Sequence, residues 1–275
     1  MAKWQKYSTR GPSHGPCNIC GSVGRLTDDH VPPKGCRNVS TARMSQLFQI
    51  LSEGRLPTQW RQAQGGVKYR TICGKCNNGL LGAEYDPSLI EWCSHIDQFL
   101  SALRSGIRLP SHTATEIRPN RILRSVIGHM LAAAVDRPAT GDFDQELVEY
   151  FLDPTRPFPA SARLYYWLYP FTSQVVIRDA VYKSMLKVDR EKNPTLFMLL
   201  KFYPVAFMVA DARDDNTSFK WTCLSEHASA HLDDSSWVPI YLNDFPSQWW
   251  PEAPSESHFV VYGGEPLFAQ PGIGK

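Results

Sequence analysis

Cys17-Asn-Ile-Cys20, then Asp28-Asp29-His30-Val31-Pro32-Pro33, then Cys73-Gly-Lys-Cys76-Asn77-Asn78 is the stretch on which the fold turns. Four thiolates in two Cys-x-x-Cys pairs satisfy the tetrahedral preference of Zn²⁺, and such a closed site supplies folding energy that a short segment does not obtain from its own core. A single pair would read equally as a redox couple. Neither pair here has the strand-to-helix setting of a thioredoxin-like motif, and each is followed by Gly or Asn. The spacing predicts a structural zinc on Cys17, Cys20, Cys73 and Cys76, with unconnected thiols or disulfides as the plain alternative. Cys36, six residues after His30, has no cysteine partner close in sequence and is only an alternate ligand, while Cys93 and Cys223 lie far from the motif.

The 275 residues suffice for one large domain or two modest ones. With 43% hydrophobic and 20% charged residues, the chain is expected to fold around a core. The net charge of +2 says little, but its distribution is uneven: Met1 to Asp86 holds 12 Lys/Arg against 5 Asp/Glu, a net of +7, and the remainder is therefore at −5. A local positive excess attracts a polyanion even when the whole chain is nearly neutral. No apolar run approaches the roughly 20 residues needed to cross a bilayer, and Met1-Ala-Lys-Trp-Gln-Lys lacks the apolar stretch of a secretion signal. The expectation is a cytoplasmic protein with no membrane association, and the metal-like use of cysteine agrees with a reducing compartment.

Three regions follow from the changes in pattern. Residues 1–16 are polar and rich in Gly and Pro, a basic arm whose Lys3, Lys6 and Arg10 can reach phosphates or simply stay solvated. Residues 17–86 hold the cysteine pairs. Within them, Met44, Leu47, Phe48 and Leu51 have helical spacing and predict an inserted helix over 42–53, and Gly65-Gly66 turns the chain into a strand, Val67 to Ile72, that delivers Cys73. Residues 87–275 read as a separate α+β domain. Helices are expected over 87–135, in two stretches beginning at Pro87 and Asn120, and mainly strands over 161–262, with one long run broken near Pro204. The fold class is therefore α+β, with helices and an antiparallel sheet. Trp221, Trp237, Trp249 and Trp250 are candidates for an aromatic contact surface or for the core.

With Asp29-His30-Val31-Pro32-Pro33 set against Cys73-Gly-Lys-Cys76-Asn77-Asn78, residues 17–86 resemble the HNH (ββα-metal) endonucleases. Many members of that family staple a β-hairpin and its following helix with two Cys-x-x-Cys pairs on a structural zinc and hold a second, catalytic divalent metal inside. The resemblance implies that Asp29 and Asn77 bind Mg²⁺ or Mn²⁺, that His30 is the general base, and that the products carry 5′-phosphate and 3′-hydroxyl ends. It further implies a DNA endonuclease, nicking or cutting duplexes, of a phage, mobile element or bacterial defence system. The chain departs from the family pattern at Lys68, where many members place an Asn, and in the closing helix, which offers Glu84 or Asp86 in place of a second His or Asn.

The residues support this chemistry on their own terms. Phosphodiester hydrolysis needs an activated water and charge stabilisation at phosphoryl and leaving oxygens. An imidazole with an ordinary pKa near 6.5 takes a proton at neutral pH, and carboxylate and amide oxygens suit hard divalent cations. Asn77 has a plainer use as a helix cap, a task it can share with Asn78, and Asp86, just before Pro87, can likewise cap the next helix. A one-residue shift would exchange Asp28 for Asp29. Lys34, Arg37, Arg61, Lys68, Arg70 and Lys75 are the candidate phosphate contacts, with the arginines better suited to bidentate contact. DNA is the expected partner and RNA the alternative, with a homodimer or regulatory partner assigned to the C-terminal region. The competing reading is a catalytically silent zinc module that binds nucleic acid.

Overall fold

Aromatic and β-branched residues in alternation build the largest layer, because successive side chains of a strand leave opposite faces of the sheet. The computed structural model describes residues 8–36, 41–54, 56, 60–104, 111–135, 141–186, 193–213, 219–242, 244–264 and 266–272. Among them the fold is α+β, with antiparallel sheets and four α-helices. The main sheet runs β11 (Thr222–Cys223), β7 (Ala162–Leu168), β10 (Val205–Asp211), β9 (Thr195–Phe202), β8 (Gln174–Ser184), β14 (Leu267–Pro271), β3 (Thr41–Gln46) and β4 (Arg61–Gln64), and β13 (His258–Tyr262) also pairs with β8. The β9 to β10 turn falls at Tyr203-Pro204, where the sequence breaks its long run.

Each face of this sheet has its own core. Leu164, Tyr166 and Leu168 of β7 face the helices α2 (Asp86–Arg104), α3 (Pro119–Ala132) and α4 (Asp142–Leu152), whereas Tyr165 and Trp167 face α1 (Leu47–Glu53) and the C-terminal aromatic residues Trp249 and Trp250. Trp221 also packs in this second cluster, against Trp167 and Trp250. Trp237 alone of the four singled-out tryptophans is largely exposed, at 65%. It lies on a two-stranded sheet of β6 (His112–Ile117) and β12 (Ser236–Tyr241).

A second, three-stranded sheet carries the cysteine motif: β1 (His14–Pro16) pairs with β2 (Val23–His30), and β2 with β5 (Lys68–Cys73). The residue 1–16 arm is thus structured where described, with β1 as an edge strand and Arg10 bridged to Arg70. A π-helical segment, Lys75–Tyr85, follows β5 and runs without a break into α2. The boundary near residue 86 therefore lies inside continuous helix. The inserted segment also reaches the large sheet, since β3 pairs with β14.

The helix expected over 42–53 is a strand followed by a helix. Met44 belongs to β3, opposite Ala269 and Arg61, and the helix begins only at Leu47. Spacing misleads here because Ala42 and Met44 are buried in β3 between β14 and β4, so tertiary pairing outweighs a short local period. Helix α4 was not anticipated. Gly128 of α3 sits so close to Phe151 and Leu81 that an added Cβ would lie 2.4 and 2.7 Å from their side chains, which locks α3 between α4 and the π-helical segment. No helix among the described residues is long and apolar enough to cross a membrane.

Candidate functional site

The cysteine cluster forms where three local structures meet. Cys17 and Cys20 occupy a tight turn between β1 and β2, closed by a hydrogen bond from Gly21 N to Cys17 O and by the positive φ of Gly21 (70°). Cys73 ends β5, and Cys76 lies in the first turn of the π-helical segment. All four sulfurs lie within 4.8 Å of one another. Cys20 and Cys73 are 3.7 Å apart, against the roughly 3.8 Å edge of a tetrahedron whose zinc–sulfur bonds are about 2.3 Å. The Cys17 thiol is pulled down to about 4 by its hydrogen bond with Cys76 and by backbone donors, while that same bond and burial push the Cys76 thiol up. The donor set fits a structural zinc. Cys36 is not part of it: it is buried beside Cys93, and that contact and burial raise its pKa.

His30 is the last residue of β2, half-buried, and directly opposite Lys68 in the β2 to β5 register. Burial is the main cause that lowers its pKa, and Lys68 and Lys34 add to it, with the Gly65 backbone and Asp28 working the other way. Gly65 and Gly66 make this turn with φ of 71° and 85°, a region open mainly to glycine. Burial and the neighbouring lysines thus favour the neutral imidazole of His30.

Asn77 sits across from the strand. Its Nδ2 donates to Thr27 Oγ1 (3.0 Å) and to the Asp28 carbonyl (3.1 Å), where a bulge interrupts the β2 to β5 register. Both amide hydrogens are thereby used, which leaves Oδ1 as the acceptor. Asn78 is exposed.

The two aspartates part company at the bulge. Asp28 is exposed and pairs with Arg10 at 3.5 Å. Asp29 is 2% exposed and points inward, where its Oδ2 lies 2.9 Å from His129 Nδ1. The other ring nitrogen of His129 is 3.0 Å from Asp86 Oδ1, which also accepts from Ser125 Oγ at 2.7 Å. Burial opposes a charge on His129, yet Asp29 and Asp86 on its two nitrogens hold its pKa well above the ordinary histidine value. Burial likewise raises the pKa of Asp29, with His129 working against it. Asp86 thus closes a carboxylate–imidazolium–carboxylate array, and Glu84 points elsewhere, to Arg121 at 3.2 Å.

Sequence reasoning missed His129. Its signal was the polar series Asn120, Arg124, Ser125 and His129 inside an apolar helix: all four are buried and all are hydrogen-bonded. A buried polar group without a partner is costly, so such a series marks a helix that ties distant segments together.

Of the candidate phosphate contacts, Arg61 and Lys68 line a cleft of about 340 Å³ together with Arg10, Gln62 and Gln64. Lys34 and Lys75 are exposed. Arg70 is spent on structure, donating from Nε to the Gly11 carbonyl at 3.0 Å. Arg37 lies outside the described residues.

Comparison of the chain with protein-family models, curated proteins and solved structures gave no match.

Proposed function

We propose that the protein is a metal-dependent endonuclease of the HNH type that hydrolyses DNA phosphodiester bonds. The observation that carries this reading is the position of His30: a half-buried imidazole whose pKa is lowered by burial, opposite Lys68, which lines a cleft together with Arg10 and Arg61. The order of elements agrees with it, since the antiparallel pair β2 and β5 leads through the cysteine cluster directly into a helical segment whose first turn carries Asn77. On this reading Arg10, Arg61 and Lys68 grip the backbone phosphates, and His30 removes a proton from the attacking water. Asn77 through Oδ1 and an aspartate of β2 would bind a Mg²⁺ or Mn²⁺ ion, which when bound supplies charge neutralisation at the phosphoryl and leaving oxygens. Strand alternation puts Asp28 on the same side as His30, whereas Asp29, the carboxylate the family resemblance names, points inward to His129.

Incubation of plasmid DNA with the purified protein and Mg²⁺ or Mn²⁺ is the test. Nicked or linear product is expected, and His30→Ala should reduce cleavage by about 10² to 10⁴ while DNA binding and zinc content persist. A wild-type protein that binds nucleic acid but cuts neither DNA nor RNA with any divalent ion would replace this reading by the silent zinc module. Asp28→Asn compared with Asp29→Asn identifies the carboxylate that matters.

A further inference from the structure

The second half of the chain holds a cavity that the chemistry proposed for His30 does not use. It encloses about 520 Å³ at the margin of the main sheet, where β11 pairs only with Tyr165 and Tyr166 before the chain bends away from β7. That volume is typical of small-molecule sites. Its walls combine rings and acids: Tyr165, Trp221 and Tyr241 on one hand, Glu226 and Asp244 on the other. Lys220 is the one cationic side chain among the described lining residues.

Lys220 shows how these walls treat a cation. Its Nζ lies 4.3 Å from the centre of the Trp221 ring and 3.2 Å from Asp244 Oδ1. A ring face and a carboxylate converging on one ammonium form the arrangement that recognises alkylated ammonium groups, the face supplying its quadrupole and the acid its charge. The lysine itself gains little there: its side chain is 67% exposed, and an exposed ion pair is worth little after screening and lost side-chain entropy. A ligand whose cation takes the same place while its apolar body enters the cavity adds buried area that Lys220 does not.

We infer that this cavity is a binding site for a compact organic ammonium ligand, with the cation between Trp221 and Asp244 and the alkyl groups against Tyr165 and Tyr241. The methylated nitrogen is specified by the walls: rings suit its diffuse charge, and it needs no hydrogen-bond acceptors.

Calorimetric titration of the full-length protein with choline and with benzyltrimethylammonium tests this, with the uncharged tert-butyl isostere of choline as control. Both cations should bind, and the isostere should bind about tenfold more weakly or not at all. Lys220→Met vacates the Trp221 face and should tighten cation binding about tenfold; in that background Asp244→Asn should reverse the gain. Both substitutions are at exposed side chains, so folding is preserved and is checked by circular dichroism. Absence of binding by both cations, equal affinity for the isostere, or a Lys220→Met protein that binds no tighter than wild type would overturn the assignment.

Discussion

His129 and Asp29 are 100 residues apart in sequence and 2.9 Å apart in space, both almost wholly buried. The contact ties the strand that presents His30 to the central helix of the fold, and Asp86 completes it from the start of α2. Removing the imidazole leaves two carboxylates in the interior without their shared cation, and breaking a buried pair in this way costs about 3 to 5 kcal/mol. His129→Leu should therefore unfold at a much lower urea concentration than wild type, while His129→Gln, which can still donate one hydrogen bond, should fall between them. A His129→Leu protein as stable as wild type would mean that the array is not ionised as described.

The cysteine cluster gives a second expectation. Thiolate coordination is coupled to folding, because the unfolded chain has no preformed site. Cys73→Ser should lose bound zinc on dialysis and lower the stability of the β1, β2 and β5 sheet, whereas Cys36→Ser should retain zinc because Cys36 lies against Cys93 instead. Elemental analysis of both variants checks this. Zinc-free wild-type protein with oxidised cysteines would end the zinc assignment.

How much of this was legible in advance depended on range. The cysteine set, the turn at Gly65-Gly66 and strand β5 are written in local spacing, and so are the long helices and the break at Pro204, because each rests on residues a few positions apart. The orientation of Asp29 was not legible. It is set by a bulge between Thr27 and Asp28 and by a partner on α3, neither of which leaves a mark near residue 29. Likewise β3 reads as helix because one of its two strand partners, β14, is more than two hundred residues away in sequence and the other, β4, carries no alternating apolar pattern.

The main sheet contains a buried pair of another kind. Lys201 and Glu252 are both fully inaccessible, with Nζ 2.5 Å from Oε1, and Lys201 also donates to the carbonyls of Gln248 and Trp250. Burial lowers the pKa of the lysine and raises that of the glutamate, each partner opposing the shift of the other. Lys201→Met alone should cost about 3 to 5 kcal/mol by stranding Glu252. Adding Glu252→Gln should recover part of that loss, and only part, since two carbonyls still lack their donor. A double variant less stable than the single one would contradict this account; chemical denaturation of the three proteins decides it.

Residues 8–86 and the chain beyond them share one core, and that makes truncation informative. Asn18 Nδ2 donates to the Ala134 carbonyl at 2.6 Å and Thr71 Oγ1 to the Ala132 carbonyl at 2.6 Å, so the cysteine-bearing sheet is anchored to the end of α3. Strand β3 has β14 as a neighbour, Leu81 packs on Gly128, and Asp29 depends on His129. A chain ending at Asp86 loses all of these. It leaves Asp29 buried or exposed without its cation, Thr71 and Asn18 without acceptors, and β3 with an open edge that invites aggregation. The expected outcome is a fragment that still binds zinc through its four cysteines but lacks the amide dispersion of a folded protein, and that aggregates at concentrations where the full chain stays dispersed. Zinc stoichiometry and a two-dimensional amide NMR spectrum measure the two properties separately. A fragment that binds zinc and gives a well-dispersed spectrum would show that the cysteine-bearing unit folds alone, and the contacts to α3 and β14 would then be docking between two independent domains.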